Sequence, residues 1–241
     1  MRLQKNLKIK MMFYKNLFYF DIETVGQYKD IDALKYNDLR GYNLFKKKYT
    51  NNLWMQERDD IIDYAYLNNA PVFSTYGKIV CISFGYYHDK TPQGYTVSSI
   101  YGDNEKDIVS QFQVLISKVS KRHMILSGYR IKAFDIPWII HKMNKYNIEP
   151  PKLLDIQGKK PWEIAAFDLA DGWKQQFKYY MSFDEVAYEL DVESPKDDLD
   201  GSKVHKAYWV DDDLVGIKTY CEKDVITCMR VAEKMLKYKI I

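Results

Sequence analysis

The run Leu17-Phe18-Tyr19-Phe20-Asp21-Ile22-Glu23-Thr24 limits what this chain can fold into more than any other stretch. Its aromatic and β-branched content suits a buried strand, yet two carboxylates interrupt its C-terminal end. Side chains alternate faces along a strand, so Asp21 and Glu23 point one way while Phe20 and Ile22 point the other. Two like charges on one buried face are costly unless positive charge lies between them. A divalent cation such as Mg²⁺ or Mn²⁺, held by oxygen ligands, supplies that charge. A strand end that has simply reached solvent needs nothing, and the stretch alone leaves both readings open.

The rest of the chain narrows the context. Its 241 residues suit one large domain, or a domain carrying an elaborate insertion, with ample material for a core. A hydrophobic fraction of 46% beside 29% charged residues excludes a disordered chain. The net charge of +3 permits contact with a polyanion without demanding it. Aromatic content of 15%, mostly tyrosine, offers rings that stack on bases, although buried tyrosines account for such rings equally well. Cys81, Cys221 and Cys228 form no Cys-x-x-Cys pair, so neither a disulfide framework nor a zinc site is expected, and a reducing cytoplasm fits. No apolar run reaches the length of a membrane span. Residues 1–12 read as a disordered basic lead, with Met11 or Met12 as alternative starts, and 13–241 as a single domain with an insertion over 26–70.

Periodicity fills in the elements. Asn52 to Leu67 has helical spacing within the insertion, and Lys46-Lys47-Lys48 fits a solvated helix face or a phosphate contact. Strands are expected over Lys78 to Tyr87, Tyr95 to Tyr101, His123 to Ser127 and Ile164 to Leu169. Helices are expected over Glu105 to Ser120, from Pro137 to about Tyr146, over Ser182 to Leu190 with a Ser182/Glu185 capping box, and from Asp213 to Lys237. Asp135 then lies at a helix N-terminus, and Tyr220 and Asp224 share one face of the last helix. Alternating strands and helices define an α/β domain. His88, His123, His141 and His205 have no metal-ligand spacing and read as surface or core residues.

Taken singly, these carboxylates are weak evidence, because Tyr-x-x-x-Asp and Phe-Asp pairs recur along the chain. Their order and context carry more: a strand-borne Asp21-Ile22-Glu23, then Gly128-Tyr129 leading to Phe134-Asp135, then a helical Tyr220-x-x-x-Asp224. The arrangement resembles the DEDD superfamily of 3′ to 5′ exonucleases in its tyrosine-bearing (DEDDy) branch. It is similar in particular to small stand-alone proteins related to the exonuclease domain of family-B DNA polymerases. The likeness covers most of the chain, including Pro161-Trp162-Glu163 and Ser194 to Asp198 through Gly201-Ser202. The histidine branch has His five before the final Asp; Thr219 stands there.

That resemblance implies a ribonuclease H-like fold, a central mixed five-stranded sheet flanked by helices, with a helical insertion after the first strand. It implies that Asp21, Glu23, Asp135 and Asp224 ligate two Mg²⁺ or Mn²⁺ ions and that Tyr220 holds the attacking water. Two cations about 3.5 to 4 Å apart would activate water, stabilise the leaving oxygen and neutralise the phosphorane. The expected substrate is the single-stranded 3′ end of DNA. RNA is the nearest alternative, because no residue visibly reads a 2′ hydroxyl. A non-catalytic nucleic-acid or partner-binding module, and a structural role with exposed carboxylates, are the competing classes. A replication or repair protein is a conceivable partner; a membrane is not. Thr24 and Phe134 are expected to line the terminal-nucleotide pocket, with core packing the alternative for Phe134. Arg130, five before Asp135, stands where such proteins usually carry Asn; its guanidinium would replace a polar clamp or contact a substrate phosphate, or else signal an altered grip on substrate. Lys203 and Lys206 fit either strand steering or a solvated face.

Overall fold

The computed structural model describes residues 14–50, 59–160, 163–194 and 200–237. Five strands form one mixed sheet: β1 (Leu17–Gly26), β2 (Gly77–Tyr87), β3 (Tyr95–Tyr101), β4 (Ile125–Gly128) and β5 (Ala166–Asp168), in the order β3-β2-β1-β4-β5. β1 pairs antiparallel with β2 and parallel with β4; β2–β3 is antiparallel and β4–β5 parallel. This is the ribonuclease H-like arrangement, and β1 lies at its centre.

The period-two alternation of β1 divides the core into two layers. Phe18, Phe20 and Ile22 pack with Ile79 and Ile82 of β2. They meet α4 (Glu105–Lys121) through Ile108, Phe112 and Ile116, and α5 (Asp135–Lys145) through Ile136, Ile139 and Met143. On the opposite face, Leu17 and Tyr19 pack against Val225, Met229 and Ala232 of the long α9 (Leu214–Lys237), and Val25 against Ile217 and Cys221. Asp21 and Glu23 belong to this second face by register.

The register of β1 with β2 slips between Glu23 and Thr24: Glu23 pairs with Cys81 but Thr24 pairs with Ile79, so Val80 is an extra residue. A bulge re-aims side chains next to it, and Val80 and Cys81 both pack with Tyr220 and Cys221. Asn104 caps α4 by accepting from the Lys106 and Asp107 amides. Between the α4–α5 layer and the edge of β2, Glu105 takes the Ile79 amide at 2.7 Å and the Lys142 ammonium at 3.2 Å, both side chains being fully buried. Lys142 also donates to the Gly77 carbonyl, and burial pushes its pKa down to about 8.

Between β1 and β2 the chain makes an excursion with its own apolar cluster: α1 (Ile31–Asn37), α2 (Leu39–Thr50) and α3 (Asp59–Asn69) enclose Ile31, Leu34, Phe45, Ile62 and Tyr66. Lys46, Lys47 and Lys48 do lie on a helix; Lys48 sits over the Phe73 ring, 3.3 Å from its centroid. The expected helix over Asn52–Leu67 corresponds to α3, while Leu53 and Trp54 fall outside the described residues, as do the lead 1–12, Pro161-Trp162 and 195–199.

Several expected boundaries change. The strand expected from His123 begins at Ile125, because His123 adopts a left-handed φ of 54° that ends α4. The strand expected over Ile164 to Leu169 is three residues long, because Asp168 caps α6 (Leu169–Lys174) by accepting from the Ala170 amide. Helix α7 (Phe183–Glu189) carries the expected Ser182/Glu185 capping box. The short α1, α6 and α8 (Val204–Trp209) were not expected from the sequence pattern, and of α2 only the Lys46–Lys48 face was.

Candidate active site

Asp21 and Glu23 leave β1 toward α9, where Tyr220 and Asp224, one turn apart, face them. Asp135 opens α5, and its Oδ1 accepts from the Ile22 amide at 3.1 Å, which ties the helix start to β1 between the two acidic residues. All five side chains line one cleft of about 420 Å³, whose remaining wall includes Val72, Tyr129, Arg130, Phe134 and Phe183. Glu23, Asp135 and Asp224 are buried. Oxygen atoms of Asp21 and Glu23 and the Cys221 sulfur lie within 4.8 Å of one another.

The electrostatics follow from that crowding. Burial, and then repulsion from Asp135, Glu23 and Asp224, pushes the Asp21 carboxyl well above its ordinary range. Glu23 is raised by burial and by Asp224. Burial lifts Asp135 to about 7 against the hydrogen bonds it accepts from its own amide and that of Ile22. Burial and the facing carboxylates, Asp224 first, push the Tyr220 hydroxyl far up, and it hydrogen-bonds Asp224. Asp21 and Glu23 therefore resist ionising beside the other acids of the cleft, the condition a bound dication relieves. Oxygen donors gathered around one buried space fit a hard cation.

The loop before α5 is held from below by Asp168. Its carboxylate accepts from the amides of Arg130 (3.0 Å), Lys132 (3.1 Å) and Ala170 (3.0 Å), coupling the end of β5 to the turn that presents Asp135. Arg130 sits in this turn at φ 58°, a left-handed conformation that asparagine tolerates better than arginine, which gives a backbone reason for Asn there. Gly128, where β4 enters the turn, allows the close approach: a Cβ would come within 2.6 Å of the Phe20 carbonyl.

The expected residues distribute as follows. Asp21, Glu23, Asp135, Tyr220, Asp224, Arg130 and Phe134 line the cleft. Thr24 does not: its hydroxyl donates to the Pro71 carbonyl at 2.6 Å, and, one residue after Glu23, it lies on the other face of β1. Phe134 also packs near Trp138, ring centroids 5.9 Å apart, so it serves both the wall and the core. Lys203 and Lys206 are engaged with Asp200 and Asp211. His205 is a core residue, its Nδ1 accepting from the Gly26 amide and its Nε2 facing the Lys29 carbonyl. Sequence reasoning missed Asp168, Val72, Tyr129, Phe183 and Cys221, whose thiol donates to the Asp21 carbonyl at 3.5 Å. Of these, the Gly128-Tyr129 start of the loop and Asp168, near the end of the strand expected over Ile164 to Leu169, had a sequence signal.

The chain belongs to the RNase_H superfamily: the model of this family (RNase_H_2) matches residues 69–236, which include Asp135, Tyr220 and Asp224 and begin after β1. Among solved structures, it is similar to the family B DNA polymerase from the hyperthermophilic archaeon Pyrobaculum calidifontis, at 14% identity and a TM-score of 0.53 over 93% of this chain. The chain spans about a quarter of that polymerase's length, the covered share being 25%. No curated protein sequence matches it. Among the described residues, no helix is long and apolar enough to cross a membrane.

Proposed function

We propose that this protein is a metal-dependent 3′ to 5′ exonuclease of the DEDDy type, acting on single-stranded DNA. The observation that carries the reading is the meeting of four carboxyl groups from three separate elements in one cleft, each raised or buried by its setting, with a tyrosine hydroxyl bonded to one of them. In this reading Asp21, Glu23, Asp135 and Asp224 hold two Mg²⁺ or Mn²⁺ ions. When bound, such ions supply charge neutralisation and Lewis acidity for phosphodiester hydrolysis.

The chain's own groups supply orientation. Tyr220 stays protonated at neutral pH, because burial, and then the facing Asp224 and Glu23, disfavour its ionised form. It therefore positions a water by hydrogen bonding and does not take its proton. Asp224 fixes the hydroxyl's direction. Phe134 and Arg130 offer an apolar face and a cation to a terminal nucleotide, which a cleft of about 420 Å³ accommodates. The amide of Ile22, bonded to Asp135, keeps the two walls in register.

The test is degradation of 5′-labelled single-stranded DNA by the purified chain with Mg²⁺ or Mn²⁺, with a matched RNA alongside. A ladder shortening from the 3′ end is expected, abolished by EDTA, by Asp21→Ala and by Asp224→Ala, and slowed but not abolished by Tyr220→Phe. Undiminished cleavage by Asp21→Ala would overturn the assignment, and faster loss of the RNA would move the substrate to RNA.

A further inference from the structure

Next to the cleft lies a surface that the reading above does not use. The segment Trp173-Lys174-Gln175-Gln176-Phe177-Lys178-Tyr179-Tyr180-Met181 contains four aromatic residues and two lysines and no acidic residue. Trp173 packs against the core, but burial does not account for the other three rings: Phe177 is 61% exposed, Tyr179 64% and Tyr180 45%. Single exposed apolar residues are ordinary, but a contiguous group flanking a cleft marks a binding surface. Lysine ammonium groups lie over two of the rings, Lys174 at 4.0 Å from the Tyr180 centroid and Lys178 at 5.4 Å from that of Tyr179. Beneath them is a depression of about 620 Å³ bounded by Trp173, Phe177, Tyr179 and Met181.

The surface is continuous with the cleft. Arg130, part of the cleft wall, lies 5.2 Å from the Tyr180 ring centroid. Tyr129, also in the wall, donates to the Met181 carbonyl and packs on Phe183 at 4.8 Å. Trp173 Nε1 reaches the Met181 sulfur at 3.2 Å, closing the segment on itself. The neighbouring carboxylate, Asp171, is engaged by the Tyr180 hydroxyl and by Lys132, so negative charge there is already compensated.

We propose that Trp173–Met181 is a stacking platform for single-stranded DNA, holding the part of the strand that leads away from the cleft. Phe177 and Tyr179 stack on bases, and Lys174, Lys178 and Arg130 face the phosphates. Alternating rings and cations are the chemistry single strands require, since every base offers a π face and every linkage a negative charge. An apolar protein surface would gain from the rings but not from lysines interleaved among them. The proposal extends the exonuclease reading, because it assigns the strand that enters that site, and it can be measured without cleavage.

The experiment is fluorescence anisotropy of the full chain in EDTA with 5′-fluorescein-labelled dT12 and dT2. Loss of one stacked ring is expected to weaken dT12 binding by about fivefold or more, and Phe177→Ala with Tyr179→Ala by more than tenfold. Tyr179→Trp should retain the affinity, and Lys178→Glu should weaken it and flatten its salt dependence. Binding of dT2, too short to reach beyond the cleft, should be unchanged by the double substitution. Binding of dT12 by the double variant within twofold of the parent would overturn the platform, as would equal losses for dT12 and dT2. If platform-dependent binding is present but no hydrolysis follows on adding Mg²⁺ or Mn²⁺, the exonuclease reading fails and the platform stands; hydrolysis with alanine-insensitive binding gives the converse.

Discussion

Replacing Asp135 by Asn should make the metal-free protein more stable while destroying the proposed nuclease activity. Asn retains the oxygen that accepts from the Ile22 amide and removes a charge that burial disfavours. With a folded value of about 7 against an ordinary 3.8, the Asp135 carboxyl binds more protons in the folded chain than in the unfolded one between those limits. Stability must then fall as pH rises from about 4 to about 7, and the loss is complete above 7. The span corresponds to at most about 4 kcal/mol, or roughly 10 °C in Tm for a chain of this size. Thermal unfolding in EDTA from pH 4.5 to 8 would show a descending Tm for the parent and a shallower descent for Asp135→Asn, with the variant more stable at pH 8. Mn²⁺ should raise the Tm of the parent at pH 8 and affect the variant much less. Equal pH slopes for parent and variant in EDTA would refute the claim that Asp135 is a buried, strained carboxylate.

Two further substitutions test the supports of the site. Asp168→Ala strands three backbone donors, those of Arg130, Lys132 and Ala170, and should cost about 3 kcal/mol or more by denaturant unfolding while lowering kcat through displacement of the turn before Asp135. Asp168→Asn, which keeps one acceptor, should lie between the two. Lys142→Met leaves Glu105 buried without its closest cation and should cost about 3 kcal/mol in the same assay, with the activity of the folded fraction unchanged because the pair lies away from the cleft. Adding Glu105→Gln should recover part of that loss; a further loss of equal size would show that the pair is not coupled.

Much of this site was legible because it rests on local periodicity. Alternation in β1 put Asp21 and Glu23 on one face, Pro137 marked the helix that Asp135 opens, and i, i+4 spacing joined Tyr220 to Asp224. The same rule, applied one residue further, puts Thr24 on the opposite face from Glu23, where it in fact bonds Pro71. What stayed hidden depends on contacts between distant segments. Cys221 fits the apolar stripe of α9, and nothing local says that its thiol meets Asp21. Asp168 was visible as a strand-end acid, but its role comes from amides 36 and 38 residues away in sequence. The extra residue Val80 is likewise invisible, because KIVCISFGYY reads as an unbroken strand until its pairing with β1 is known. Helix α1, and α2 apart from its lysine run, escaped notice because their few buried residues, Ile31, Leu34 and Phe45, are too sparse to set a period.

The excursion between β1 and β2 leaves the sheet and returns to it at one point, the Gly26–Gly77 pair, reinforced by the amide of Gln27 on the Tyr76 carbonyl. To the sheet, the fifty residues between are a hairpin loop whose two ends are clasped, and the entropy of closing such a loop grows only slowly with its length. Since Val72 is the one of its described residues in the cleft wall, a longer or shorter segment in related chains would leave the other wall residues in place. Variation among them in what is gripped, as distinct from what is cut, would then concentrate there.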